Sequence, residues 1–202
     1  MNKNNNIPNH LLNKFLEKIK NDDVIFFDLD GTIVETNYAN YLSYKEAINT
    51  IYKKNQNIEY NPSERLTRNS LHKLLGKISP FEYNKIIQYK DNNYFKYTSF
   101  TNLNKIITDT LISLSKKNKT LLVSKCKQSR VLSTLEYYNL TNYFTKIFTH
   151  ENIEISNNSN KFEIAIAELN IIPSTIILFE NEETEIIQAI SSGIPNHNIW
   201  RV

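Results

Sequence analysis

Two aspartates, Asp28 and Asp30, stand two residues apart, directly after four apolar residues and directly before Gly31 and Thr32. Such a pair can divide a reaction between them. One carboxylate attacks an electrophilic centre such as phosphorus, and the other protonates the leaving oxygen. Gly31 permits the tight turn that brings both to one place. The plainer reading is a polar turn, since Asp, Gly and Thr are ordinary loop residues, and on these residues alone neither reading prevails. Ser124 follows an apolar run at 120–123. Its hydroxyl and the N–H groups after it can hold a phosphoryl oxygen, although serine is also a common strand-end residue. Lys161 opens a helical pattern, where most lysines are simply solvated. Glu180, Asn181, Glu182, Glu183 and Glu185 follow the apolar run at 176–179. Acidic residues suit a helix N-terminus through the macrodipole. Carboxylates at the end of a second strand can instead complete an oxygen cage for Mg²⁺.

Those positions matter only if the chain gathers them. Residues 24–27 (Val-Ile-Phe-Phe) form a short, continuously apolar run of β-formers, as expected of a strand buried on both faces of a parallel sheet. Before it, Leu11, Leu12, Phe15, Leu16 and Ile19 recur at helical spacing. Residues 37–98 are helical in pattern, with breaks expected at 55–62, 79–80 and 91–93 and no convincing strand. Beyond them the pattern alternates. Helices are expected over 102–117, 128–138, 160–170 and 183–192, and strands over 120–123, 146–149, 174–179 and 198–200. Strands alternating with helices predict a mostly parallel α/β sheet covered on both faces. In such folds ligands bind at the carboxyl ends of the strands, which is where each of the candidate residues falls or a helix begins.

Composition bounds the alternatives. The chain has 202 residues, long enough for one domain with an insertion and a real core. Hydrophobic residues are 40% and charged residues 22%, ordinary for a globular protein. A formal charge of +3 indicates neither nucleic acid nor a membrane as partner. One cysteine excludes an internal disulfide, and three glycines exclude a Gly-rich repeat. No run approaches the roughly 20 apolar residues of a membrane helix. Residues 1–10 are Asn-rich, without the apolar core of a secretory signal, and read as a flexible leader; the expected location is cytoplasmic.

Taken in order, these elements resemble the haloacid dehalogenase (HAD) superfamily of phosphoryl-transfer enzymes, in its phosphatase and β-phosphoglucomutase-like subfamily I. The first motif of that family is matched by residues 24–32, the second by 121–124 ending at Ser124, the third by Lys161 with the Ile171-Ile172-Pro173 turn, and the fourth by 177–181 with Ala189 and Gly193 beyond. The resemblance covers residue 24 to the C-terminus. It implies a three-layer Rossmann-like core, residues 11–36 and 99–202, with a C1-type helical cap inserted over 37–98. It also implies Mg²⁺-dependent hydrolysis of a small phosphorylated metabolite. Asp28 would be nucleophile and Asp30 acid and base, Ser124 and Lys161 would hold phosphate, and Asp28, Asp30, Glu180 and Asn181 would hold the metal. Asn181 departs from the pattern, because it stands where the family usually has an aspartate, so one negative charge is missing and weaker Mg²⁺ binding is expected. A phosphomutase of the same fold, or a degenerate HAD-fold binding or regulatory protein, remains open, as do the substrate and the oligomeric state.

Other readings fail on spacing. Cys126 and Arg130 are too close for a Cys-x₅-Arg phosphatase loop, and Gly76-Lys77-Ile78-Ser79 lacks the Lys-Ser adjacency of a P-loop. His10, His72, His150 and His197 are scattered singly. Tyr38, Tyr41, Lys45, Arg65, Arg68 and His72 of the helical block are candidates to touch a leaving group.

Overall fold

The computed structural model describes residues 9–52, 58–154 and 159–202; the leader expected over residues 1–10 lies almost wholly outside them. The chain divides into two compact units. One comprises residues 1–35 and 103–202, the other residues 36–102. In chain order the elements are α1 (Asn9–Leu16), β1 (Val24–Phe27), β2 (Val34–Glu35), α2 (Asn37–Ile51), α3 (Arg68–Leu75), α4 (Pro80–Asn93), β3 (Asn102–Leu103), α5 (Lys105–Leu114), β4 (Lys119–Val123), α6 (Gln128–Tyr137), β5 (Lys146–Phe148), α7 (His150–Glu154), α8 (Lys161–Leu169), β6 (Ile176–Glu180), α9 (Glu183–Ser191) and β7 (Ile199–Arg201).

Five strands form one sheet in the order β5-β4-β1-β6-β7. Every pairing in it is parallel, with Phe27 beside both Leu122 and Phe179. The alternation along β1 divides two layers. Ile25 and Phe27 face a core with Leu12, Leu111, Val131 and Leu135, from α1, α5 and α6. Val24 and Phe26 face a second core with Phe162, Ala165, Ile186 and Ala189, from α8 and α9. Helices thus cover both faces, and the architecture is a three-layer Rossmann-like α/β fold. Phe27 and Phe179 stack at 4.7 Å, locking the ends of the two central strands together. β1 lies between β4 and β6, the point at which the strand order reverses, so the residues after these three strands share one crevice.

The unit of residues 36–102 builds its own core from Tyr41, Tyr44, Ile48, Leu71, Leu75 and Ile86. Its helices begin where side chains satisfy the first free N–H groups. Thr67 and Ser70 form a capping box on α3, and Ser79 and Glu82 form one on α4, with Pro80 in its first turn. Among the described residues of 37–98 there is no strand of the main sheet. No helix among the described residues is long and apolar enough to cross a membrane.

Some boundaries differ from the sequence reading. The break expected at 91–93 is helical, because Asn93 Nδ2 donates to Tyr89 O (2.8 Å) and Asp91 pairs with Arg68 (3.1 Å) and Lys90 (3.3 Å), which ties these polar residues to the helix. The helix expected from 102 begins at Lys105, since Asn104 caps it by accepting from Ile107 N, while Asn104 N donates to Ile33 O (2.9 Å). Asn102 and Leu103 instead pair with β2 in a separate two-stranded ribbon. α1 ends at Leu16, short of Ile19, which still packs on the core.

Candidate active site

The first candidate leaves β1 under tight control. Asp28 N donates to Phe179 O (3.1 Å), so the backbone is still tied to β6 when the side chain emerges. Gly31 then turns the chain with φ +85°, and its N–H donates to Val34 O (2.8 Å). A Cβ at Gly31 would lie 2.3 Å from the end of the Asn181 amide. Gly31→Ala is therefore expected to lower stability by about 1–3 kcal/mol and to dislodge Asn181. Urea denaturation measures this, and an unchanged midpoint would mean that the turn does not need glycine.

Lys161 reaches this point from the opposite layer. Asn160 Oδ1 accepts from Phe162 N (2.9 Å) and Glu163 N (3.1 Å), while Glu163 accepts from Asn160 N (3.1 Å). This capping box fixes the first turn of α8 and the base of Lys161. The side chain is buried, and its Nζ lies 2.9 Å from Asp28 Oδ1, 2.9 Å from Glu180 Oε2 and 3.5 Å from Glu185 Oε2. Burial opposes the charge on Lys161, but Asp28, Glu180 and Glu185 outweigh it and hold the ammonium above the usual lysine range. Burial, and then the Glu180 carboxylate, push Asp28 up to about 7 against the pull of Lys161.

Glu180 closes β6 with no exposure. Its Oε1 accepts from Asn181 N (2.9 Å) and Glu182 N (3.1 Å), and Oε2 faces Lys161. The Asn181 amide tip meets three oxygens: Asp30 main-chain O at 3.1 Å, Thr32 Oγ1 at 3.1 Å and Glu180 Oε1 at 3.2 Å. With the nitrogen inward it donates to them, whereas with the oxygen inward it accepts only from Thr32 Oγ1.

Asp30 has a partner that sequence reasoning missed. Arg130 Nη2 lies 2.7 Å from both Asp30 oxygens, and Cys126 Sγ donates to Oδ2 at 3.0 Å. Desolvation pushes the Cys126 thiol up to about 11, although Arg130 pulls it down. Spacing alone offers Arg130 only as half of a phosphatase loop. The available signal was its place on the buried stripe of α6 with Val131, Thr134 and Leu135, where a charge requires a counter-charge. Lys125 pairs with Glu185 at 2.6 Å, a second contact that spacing does not reveal.

The structure thus brings Asp28, Lys161, Glu180 and Glu185 into one ion-pair cluster. Asn181 stands beside Asp30 main-chain O, and the Asp30 side chain is committed to Arg130. Ser124 is buried just past the end of β4, with N bonded to Phe148 O (3.0 Å) and Oγ accepting from Cys126 N (3.3 Å). Among the described residues no three His, Cys, Asp or Glu side chains group as a metal cage. Carboxylates held by buried cations at the carboxyl ends of adjacent strands can supply a nucleophile, a proton carrier and anion contacts within one crevice.

A family model described as haloacid dehalogenase-like hydrolase matches residues 25–199. No curated protein matches the sequence. Solved structures with this fold include CbbY from Rhodobacter sphaeroides in complex with phosphate, at 16% identity and TM-score 0.70, covering 86% of this chain and 84% of that one. A HAD-superfamily hydrolase of subfamily IA from Geobacter sulfurreducens has 14% identity and TM-score 0.64, covering 87% and 85%. A haloacid dehalogenase-like family hydrolase from Streptococcus pneumoniae has 17% identity and TM-score 0.66, covering 86% and 82%.

Proposed function

The chain belongs to the haloacid dehalogenase-like hydrolases, and from that premise we propose that it is a Mg²⁺-dependent phosphatase acting on a small phosphomonoester through a phosphorylated Asp28. The observation that carries this reading is the buried Lys161 ammonium placed 2.9 Å from both Asp28 and Glu180. A cation there holds one Asp28 oxygen and leaves the other to attack. It also offers positive charge where a phosphoryl group would arrive.

In this reading an Asp28 oxygen attacks phosphorus and the bond from phosphorus to the leaving oxygen breaks. That oxygen takes a proton from Asp30. Water then attacks phosphorus, gives its proton to Asp30, and the bond between phosphorus and Asp28 breaks. Arg130 on both Asp30 oxygens suits the second step, in which Asp30 is the base. In the first step one oxygen must slip from the guanidinium to carry the proton. Ser124 and Lys161 hold the equatorial oxygens of the phosphoryl group in transfer, and residues 37–98 serve as a helical cap.

The donor set fits Mg²⁺. Asp28 carboxylate, Asp30 main-chain O, Glu180 and Asn181 Oδ1 are all oxygen donors, and a hard cation of this kind uses one or two carboxylates with water and phosphate completing its shell. When bound, such an ion would neutralise the approaching anions and favour the ionised form of Asp28. The phosphate bound by CbbY, and the xylulose-1,5-bisphosphate bound by a mutant of that protein, agree with phosphoryl chemistry on this fold; the sugar is that protein's ligand.

Phosphate release from p-nitrophenyl phosphate and acetyl phosphate tests the reading. Release in Mg²⁺ that stops in EDTA is expected. Release indifferent to EDTA would remove the metal, and no release from either compound in Mg²⁺ would favour a binding role.

A further inference from the structure

We infer that Asn181 is a two-position amide that stabilises the metal-free site with its nitrogen and serves the cation with its oxygen. The inference rests on the metal reading above and adds a state in which that site is complete without metal. Three oxygens, Asp30 O, Thr32 Oγ1 and Glu180 Oε1, lie 3.1–3.2 Å from one position on the Asn181 amide. With nitrogen there, two N–H groups serve three acceptors. With oxygen there, four oxygens converge and only the Thr32 hydroxyl, at 3.1 Å, supplies a proton. Without a cation the second arrangement sets acceptors against acceptors in a buried place, which is costly. With a dication it is an array of hard donors.

Two neighbours allow the exchange. Thr32 is fully buried, and its hydroxyl can accept in one state and donate in the other, so it needs only to rotate its proton. Gly31 has no Cβ at the point that would lie 2.3 Å from the amide, so the amide rests against bare backbone. A half-turn about the bond from Cβ to the amide carbon swaps two atoms of nearly equal size. It calls for no backbone movement. An aspartate at this position would have only the oxygen-inward state. It would attract the cation more strongly and would repel Asp30 O and Glu180 whenever the cation is absent.

The test compares wild type, Asn181→Asp and Asn181→Ala, with Mg²⁺ itself as ligand. In EDTA, Asn181→Asp is expected to melt roughly 3 °C or more below wild type. By calorimetry it should bind Mg²⁺ roughly tenfold more tightly. Asn181→Ala should lose stability in EDTA and also bind Mg²⁺ more weakly than wild type, because it has neither donor nor acceptor. In ¹⁵N-labelled wild type, the side-chain amide signal absent from Asn181→Asp should show slow hydrogen exchange in EDTA and fast exchange in Mg²⁺. An Asn181→Asp protein as stable as wild type in EDTA overturns the capping role. Mg²⁺ affinity unchanged in both variants overturns the ligating role. Failure of all three proteins to bind Mg²⁺ at millimolar concentration overturns the metal reading, and the EDTA melting temperatures still decide the capping role.

Discussion

Asp28→Asn is expected to lower turnover by roughly a thousandfold or more while the protein keeps its fold. The amide is almost isosteric, and its oxygen can still accept from Lys161 as Asp28 Oδ1 does at 2.9 Å. What disappears is the anionic oxygen that attacks phosphorus. Stability should not fall. Burial and Glu180 push the folded-state Asp28 up to about 7 from the ordinary 3.8. An acid raised in this way destabilises the fold as pH climbs above its unfolded value, and the neutral amide removes that cost at neutral pH. Steady-state kinetics and thermal unfolding on the same preparation separate the two effects. Wild-type turnover in the purified variant would take Asp28 out of the chemistry.

Lys161→Met acts mainly on the fold. It leaves Asp28, Glu180 and Glu185 facing one another in a buried crevice without their shared cation. Removing one partner of a buried ion pair costs about 3–5 kcal/mol, since the buried carboxylates lose the cation they share, although Glu185 keeps Lys125 at 2.6 Å. Urea denaturation near neutral pH should show a loss of that size, and turnover should vanish with it. Adding Glu180→Gln should recover part of the stability, because one stranded charge is then gone. A Lys161→Met protein as stable as wild type would mean that the cluster carries little charge.

What could be read from the sequence follows from the range of the interactions. Val24–Phe27 is legible as a buried strand because four β-formers in a row can satisfy themselves nowhere else, and Asp28, Asp30 and Gly31 follow with fixed local spacing. Lys161 is legible as a helix-opening residue because its capping residues are adjacent in sequence. The pairing of Arg130 with Asp30 spans 100 residues, and no local pattern encodes it. The contact of Asn181 with Asp30 main-chain O depends on the register of β1 against β6, which parallel strands do not announce. β2 and β3 are two residues each, too short for an alternation to appear. Asn181 illustrates the limit from the other side. Its position marked it as a weak metal ligand, while its use as a hydrogen-bond donor emerges only once Thr32 and Glu180 are placed around it.

The covalent route through Asp28 is tested most directly by mixing the protein with Mg²⁺ and p-nitrophenyl phosphate, quenching in acid during turnover, and mapping phosphate by peptide mass spectrometry. Phosphate is expected on Asp28, in amounts that rise and decay with the substrate. Hydrolysis proceeding with Asp28 unmodified at every quench time, and with phosphate on another residue, would contradict it.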